Sequence, residues 1–97
     1  MTATLSTHVL DTGRGEPATG VEIELFRDGT LLASGQTDGD GRIRELAAEL
    51  EPGVYRLVFR PPSTFFRRVE LEVTLVAGHY HVPLLVSPYS CASYRGS

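Results

Sequence analysis

Three histidines occur in this chain, and their neighbours suggest what they could do. His8 lies in Ser6-Thr7-His8-Val9-Leu10-Asp11. His79 and His81 frame Tyr80 in His79-Tyr80-His81-Val82-Pro83-Leu84-Leu85. Imidazole is the side chain whose charge changes near neutral pH, so a positioned neutral histidine is a natural general base. In an extended chain His8 shares a face with Ser6 and Leu10, opposite Thr7 and Val9. His79, His81, Pro83 and Leu85 then lie on one face; Tyr80, Val82, Leu84 and Val86 lie on the other and read as core. If Val9 points into a core, His8 and His81 both point away from it. They can meet only if their strands share a sheet or if two subunits bring them together. A lone strand histidine is most often a half-exposed surface residue, and the second pair is what raises the catalytic reading. His-X-His also projects two imidazoles to one side, as a metal chelate would. No third carboxylate or thiolate sits at supporting spacing, so no metal is expected.

Two other polar features accompany the histidines. Arg42 follows the turn Asp38-Gly39-Asp40-Gly41, where a guanidinium is ordinarily solvated. Arg44 would point the same way if this segment is extended, and is the weaker candidate. All nine basic residues are arginine. Arginine forks onto planar carboxylates and imides, although a compositional bias explains the same count. The second feature is the run Tyr94-Arg95-Gly96-Ser97, which follows an apolar segment closely and reads as a strand continued, not as a frayed tail.

These residues need a scaffold, and its pattern has period two. Val21, Ile23 and Leu25 alternate with Glu22 and Glu24. Tyr55, Leu57 and Phe59 alternate with Arg56 and Arg60. Val69, Leu71, Val73 and Leu75 alternate with Glu70, Glu72 and Thr74. Each reads as a strand with one buried face. Asp28-Gly29 is a hairpin signal, Pro52-Gly53 opens a strand, Pro61-Pro62 closes it, and Ser87-Pro88 joins the last two. Strands are expected near 4–11, 21–27, 30–37, 54–60, 68–76, 79–87 and 90–96, with a short one at 42–46. Ile43, Leu46, Ala47 and Leu50 have helical spacing, so that segment reads either as a short helix or as a strand running into a turn. The whole is all-β, a two-sheet β-sandwich of seven to eight strands.

Composition narrows the function classes. A chain of 97 residues is one domain, 1–97, and a domain this small gains from oligomerisation. A net charge of −3 gives no reason to expect nucleic acid or an anionic membrane. No apolar run approaches the roughly 20 residues of a membrane span. Cys91 is the only cysteine, and no basic region followed by an apolar stretch opens the sequence. A reduced, cytoplasmic setting is therefore expected.

His-Val-Leu-Asp alone would be weakly specific. His79-Tyr80-His81-Val82-Pro83-Leu84-Leu85 followed by Ser87-Pro88-Tyr89 and Tyr94-Arg95-Gly96-Ser97 is highly specific. With Leu5 to Asp11, Thr37 to Arg42 and Pro52 to Phe59, these segments resemble the transthyretin-like family of 5-hydroxyisourate hydrolases over nearly the whole chain. The resemblance implies a transthyretin-like sandwich assembled as a homotetramer, with active sites in the channel at the dimer–dimer interface. It implies His8, Arg42, His81 and Ser97 as catalytic residues, Tyr94, Arg95, Gly96 and Pro83 as substrate contacts, and no cofactor. The implied substrate is a small oxidised purine. The implied reaction is hydrolysis of 5-hydroxyisourate to 2-oxo-4-hydroxy-4-carboxy-5-ureidoimidazoline in urate catabolism.

The residue types suit that chemistry. Ring opening at an acyl carbon needs a base for water and fixed donors for the oxyanion. Arg42 can supply planar positive charge, Gly96 lets backbone approach a flat ligand, and Ser97 could donate through its hydroxyl or accept through its carboxylate. Which histidine is the base stays open. Two segments depart from the family pattern. Arg60 to Arg68 is short, so a small helix found there in relatives is expected to be absent. Cys91-Ala92 replaces a more usual Tyr-Ser, and Cys91 reads as a packing residue because no cation adjoins it. Two alternatives remain: the same site acting on a different heterocycle, and a noncatalytic carrier of a flat ligand. The carrier requires apolar complementarity and has no use for paired bases.

Overall fold

A computed structural model describes residues 1–96. The alternating segments form two sheets that face each other across the side chains expected to be buried. Ten strands run in order: β1 (Ala3–Asp11), β2 (Glu16–Pro17), β3 (Glu22–Arg27), β4 (Thr30–Gln36), β5 (Arg42–Leu50), β6 (Gly53–Phe59), β7 (Val69–Leu75), β8 (Gly78–His81), β9 (Leu84–Ser87) and β10 (Ser90–Ser93). One sheet has the order β4-β3-β6-β7 and is antiparallel throughout. The other is built around β1. Along one edge β1 pairs antiparallel with β5 and then β2; along the other it pairs parallel with β8 and then β9, and β10 closes onto β9.

The core lies between the sheets. Leu5, Val9, Leu84 and Val86 from one side meet Ile23, Leu25, Leu57 and Phe59 from the other. All eight are essentially inaccessible, and full burial of such side chains is worth roughly 1.5–3 kcal/mol each before ordering costs. Val69, Leu71 and Val73 pack against this core while Glu70, Glu72 and Thr74 stay exposed, which is the expected register.

Four elements differ from the expectation. The span 79–87 is two strands, because Pro83 has no N–H to continue the ladder and the chain breaks at Val82-Pro83. The last strand ends at Ser93, and among the described residues beyond it only Gly96 pairs, as a single bridge to His81. The loop after β1 contains a two-residue strand, β2. Residues 42–50 are one long strand, not a helix and not the short 42–46. Ala3, Leu5 and Thr7 of β1 oppose Leu50, Ala47 and Ile43 of β5, with irregularities between them. Two steps along β1 thus match three and then four along β5. These bulges turn a period of two into a spacing that imitates a helix. Residues 60–68 contain no helix; Ser63 Oγ accepts the backbone N–H groups of Phe65 and Phe66 in a turn.

Candidate active site

The candidate site lies on the outer face of the β1 sheet, across three adjacent strands. Ala3, Leu5, Thr7 and Val9 point into the core, so Thr4, Ser6, His8 and Leu10 project outward. His8 stands directly opposite Arg42 of β5, and Ser6 directly opposite His81 of β8. His8 and His81 are therefore diagonal neighbours on one face, with Arg42 on the far side of His8. The two ends of the chain meet because β1 is central and its two edges take β5 and β8.

Each neighbour is placed by local chemistry. Asp38 Oδ1 accepts the N–H groups of Asp40 and Arg42 at 2.9 and 3.0 Å. Those two donors hold the Asp38 carboxyl below its ordinary value. Gly41 has φ +74, and a Cβ there would lie 2.6 Å from the Val9 carbonyl oxygen. Only glycine fits, and its own carbonyl accepts Val9 N–H at 2.7 Å. This turn delivers Arg42 beside His8. Arg44 instead pairs with Asp40 at 3.7 Å, both largely exposed, an interaction of small consequence. Among the described residues no carboxylate lies within 4 Å of the Arg42 guanidinium.

The histidines are held differently. His8 Nε2 lies 2.9 Å from the Asp40 carbonyl oxygen. A carbonyl only accepts, so Nε2 carries a proton, and in a neutral imidazole Nδ1 is then the acceptor. His81 Nδ1 lies 2.8 Å from Ser6 Oγ. The same hydroxyl lies 2.9 Å from His79 Nε2, and His79 Nδ1 lies 2.6 Å from Thr4 Oγ1. Burial, then the nearby positive charge of Arg42, then His8 and His79, push the His81 pKa below its ordinary 6.5. His81 is thus neutral at neutral pH and able to accept a proton. Among the described residues no group of three His, Cys, Asp or Glu is placed to hold a metal ion.

The 94–97 segment divides. Gly96 N–H donates to the His81 carbonyl at 2.7 Å, and a Cβ on Gly96 would lie 2.6 Å from His81 Cδ2. The backbone therefore runs against the imidazole, which only glycine permits. The Arg95 guanidinium lies 4.2 Å from the centroid of Tyr80, whose side chain alternates with His79 and His81. Tyr94 and Arg95 line a concavity of about 360 Å³ with Leu71, Val73, Tyr80 and Val82, at the edge between the sheets. Ser97, expected to be catalytic, lies outside the described residues. Pro83, expected to touch substrate, is fully buried at the strand break, and its carbonyl accepts Ser93 Oγ–H at 2.8 Å. It offers no surface to a ligand. Cys91 packs against the core, and burial pushes its thiol pKa up, away from a reactive thiolate.

The sequence reading missed Ser6, Thr4 and His79 as parts of the site. Their signal was present: three polar residues at every second position of β1 and two histidines at the same interval on β8. It needed the parallel pairing of β1 with β8 to become contacts. The face itself is open. A concavity of about 530 Å³ lies elsewhere, lined by Asp11, Arg14, Glu16, Pro62 and Pro88 among others, and contains no histidine.

These features define a class: an all-β sandwich with an arginine and three outward histidines on the outer face of one sheet. The HIUase/Transthyretin family model matches residues 5–96, and the chain belongs to that family. It is 41% identical to the 5-hydroxyisourate hydrolase of Pseudomonas aeruginosa, over 96% of this chain and 90% of that protein. The structure of Klebsiella pneumoniae 5-hydroxyisourate hydrolase superimposes with a TM-score of 0.90 at 36% identity, covering 98% of this chain and 99% of the other. Sea bream transthyretin in complex with thyroxine superimposes at 0.83 and 29% identity, covering 95% and 93%. The Pseudomonas alignment spans 114 positions against 97 residues here, as expected where relatives carry insertions.

Proposed function

We propose that this chain is an enzyme that hydrolyses 5-hydroxyisourate in urate catabolism. The observation that carries the proposal is the placement of His81, His8 and Arg42 on one face of the β1 sheet. His81 takes a proton from water as the oxygen attacks the acyl carbon. The carbonyl oxygen becomes an oxyanion, and Arg42 stabilises its charge. The ring C–N bond then breaks as the nitrogen takes a proton from His81 Nε2, and the new carboxylic acid loses its proton to solvent. His8, with Nε2–H fixed on the Asp40 carbonyl, offers Nδ1 to a ring N–H of the substrate. Gly96, whose N–H is held by the His81 carbonyl, brings backbone to the edge of the flat ligand. No cofactor is required.

Four chains complete the site. The face bearing His8, Leu10, His81 and Leu85 is open in one chain, and a second face across it would turn an open sheet into a channel. The proposed assembly is a homotetramer with sites at the dimer–dimer interface, in the cytoplasm, where the lone Cys91 stays reduced. Among the described residues no helix is long and apolar enough to cross a membrane. A carrier role, by analogy with transthyretin, accounts for neither the lowered His81 pKa nor an Arg42 that has no carboxylate partner among the described residues. Changing His8, Arg42 or His81 singly to Ala is expected to lower turnover of 5-hydroxyisourate by about 10² or more with the assembly intact, the scale for loss of a base or a charge-stabilising donor. A His81→Ala enzyme with a near-normal rate would exclude this mechanism.

A further inference from the structure

Ser6 Oγ stands between two imidazole nitrogens, His79 Nε2 at 2.9 Å and His81 Nδ1 at 2.8 Å, and His79 Nδ1 reaches Thr4 Oγ1 at 2.6 Å. Ser6 has one hydroxyl hydrogen and is buried; among the described residues these two nitrogens are its only side-chain partners. It can donate to one nitrogen and must accept from the other. If it donates to His81 Nδ1, it accepts from His79 Nε2–H, His79 Nδ1 is bare, and Thr4 donates to it. If it donates to His79 Nε2, it accepts from His81 Nδ1–H, and His79 Nδ1–H donates to Thr4. Both rings are then protonated at Nε2 in the first arrangement and at Nδ1 in the second. Opposite tautomers leave Ser6 with two donors or two acceptors facing it, at the cost of an unmatched buried group.

We propose that Thr4, His79 and Ser6 form a proton relay that locks His79 and His81 into one shared tautomer and carries a proton between His81 and solvent. In the Nδ1–H arrangement His81 Nε2 is bare and acts as base; in the Nε2–H arrangement the same atom is an acid. Conversion balances. His81 Nε2 gains a proton from water, and its Nδ1 proton passes to Ser6 Oγ. The Ser6 proton passes to His79 Nε2, the His79 Nδ1 proton to Thr4 Oγ1, and the Thr4 proton to solvent. The net result is one proton moved from the attacking water to bulk, with His81 never holding a full positive charge. That matters here, because burial and the charge of Arg42 both oppose an imidazolium at this position. Ser6, His79 and Thr4 are positioning and relay residues; none is required to touch substrate.

The catalytic half of this inference rests on the proposed hydrolase activity, whereas the tautomer half does not. Nitrogen-15 NMR of the full assembled protein with labelled histidine, without ligand, is expected to give His79 and His81 the same neutral tautomer, with the pairing lost in Ser6→Ala and restored in Ser6→Thr. Opposite tautomers in the wild type would overturn the relay whatever the activity proves to be. In kinetics, Ser6→Ala and His79→Gln are expected to lower kcat roughly tenfold, less than the ~10²–10⁴ of a base itself, with KM within about twofold. Gln retains a hydrogen bond to Ser6 but cannot pass a proton. In mixtures of light and heavy water the wild-type rate should curve with deuterium fraction, as several moving protons require, and become linear in His79→Gln. Unchanged kcat and unchanged curvature in His79→Gln would overturn the relay. An inactive wild type that still shows paired tautomers would overturn the hydrolase reading and leave the hydrogen-bond lock supported.

Discussion

At the scale of single residues the proposed mechanism turns on His81, whose protonation the fold opposes. Burial is the largest cause and the Arg42 charge the next. A base with a pKa below 6.5 remains competent throughout neutral pH and loses activity only on the acid side. The acid limb of kcat/KM is therefore expected below pH 6.5, and Arg42→Gln, which removes one repulsive charge, should move the limb of the residual activity upward. The His81 ring-proton shifts followed through a pH titration read the same value without substrate; an unmoved midpoint in Arg42→Gln would contradict the assignment. The sign for stability follows. The unfolded chain binds this proton more readily than the fold, so the contribution is present above about 6.5 and is lost as pH falls through the lowered folded value. His8 and His81 were legible in the sequence because two is the period of a strand and Val9 and Val82 marked the buried sides. The tautomer of His8 was not legible, since it is set by the carbonyl of Asp40, 32 residues away.

At the scale of elements, backbone placement decides which side chains converge. Two glycines separate fold from function. Gly41→Ala places a Cβ 2.6 Å from a backbone oxygen at a positive φ, and nothing flexible can yield. A loss of about 1–3 kcal/mol is expected in denaturant unfolding. Gly96→Ala presses instead on the edge of the His81 ring, 2.6 Å away, at the end of the chain path. It should leave stability nearly unchanged and reduce turnover by about 10²-fold, as misplacement of a reacting group does. Equal stability losses in the two variants would contradict this division. The sequence was legible where a strand ran regularly, as in β3, β6 and β7. It was ambiguous in β5, where bulges opposite Leu5 stretched the core spacing, and it concealed the interruption at Val82-Pro83 because buried residues continue on both sides of it. Arg95 and Pro83 were placed correctly along the chain, but their side chains could not be aimed: one lies over Tyr80 and the other is enclosed.

At the scale of the whole molecule, the sandwich brings His8, Arg42 and His81 to one face and leaves that face open in one chain. Leu10 and Leu85 flank the histidines there, partly exposed, and the outer strands of both sheets offer unpaired edges. Sedimentation at micromolar concentration is expected to give the mass of four chains. A single monomeric species would remove the proposed channel while leaving the fold intact. The class of fold was legible from alternation and turns alone. The number of chains was not, because nothing in one strand's pattern says whether a half-polar face meets water, substrate or another copy.

The central claim is catalysis of one ring opening. Freshly generated 5-hydroxyisourate decays spontaneously, and its ultraviolet absorbance can be followed with and without the assembled protein. The account predicts catalytic acceleration of that loss at protein concentrations far below substrate, abolished in His81→Ala. Loss of absorbance at the spontaneous rate, with or without stoichiometric binding of the substrate, would contradict it.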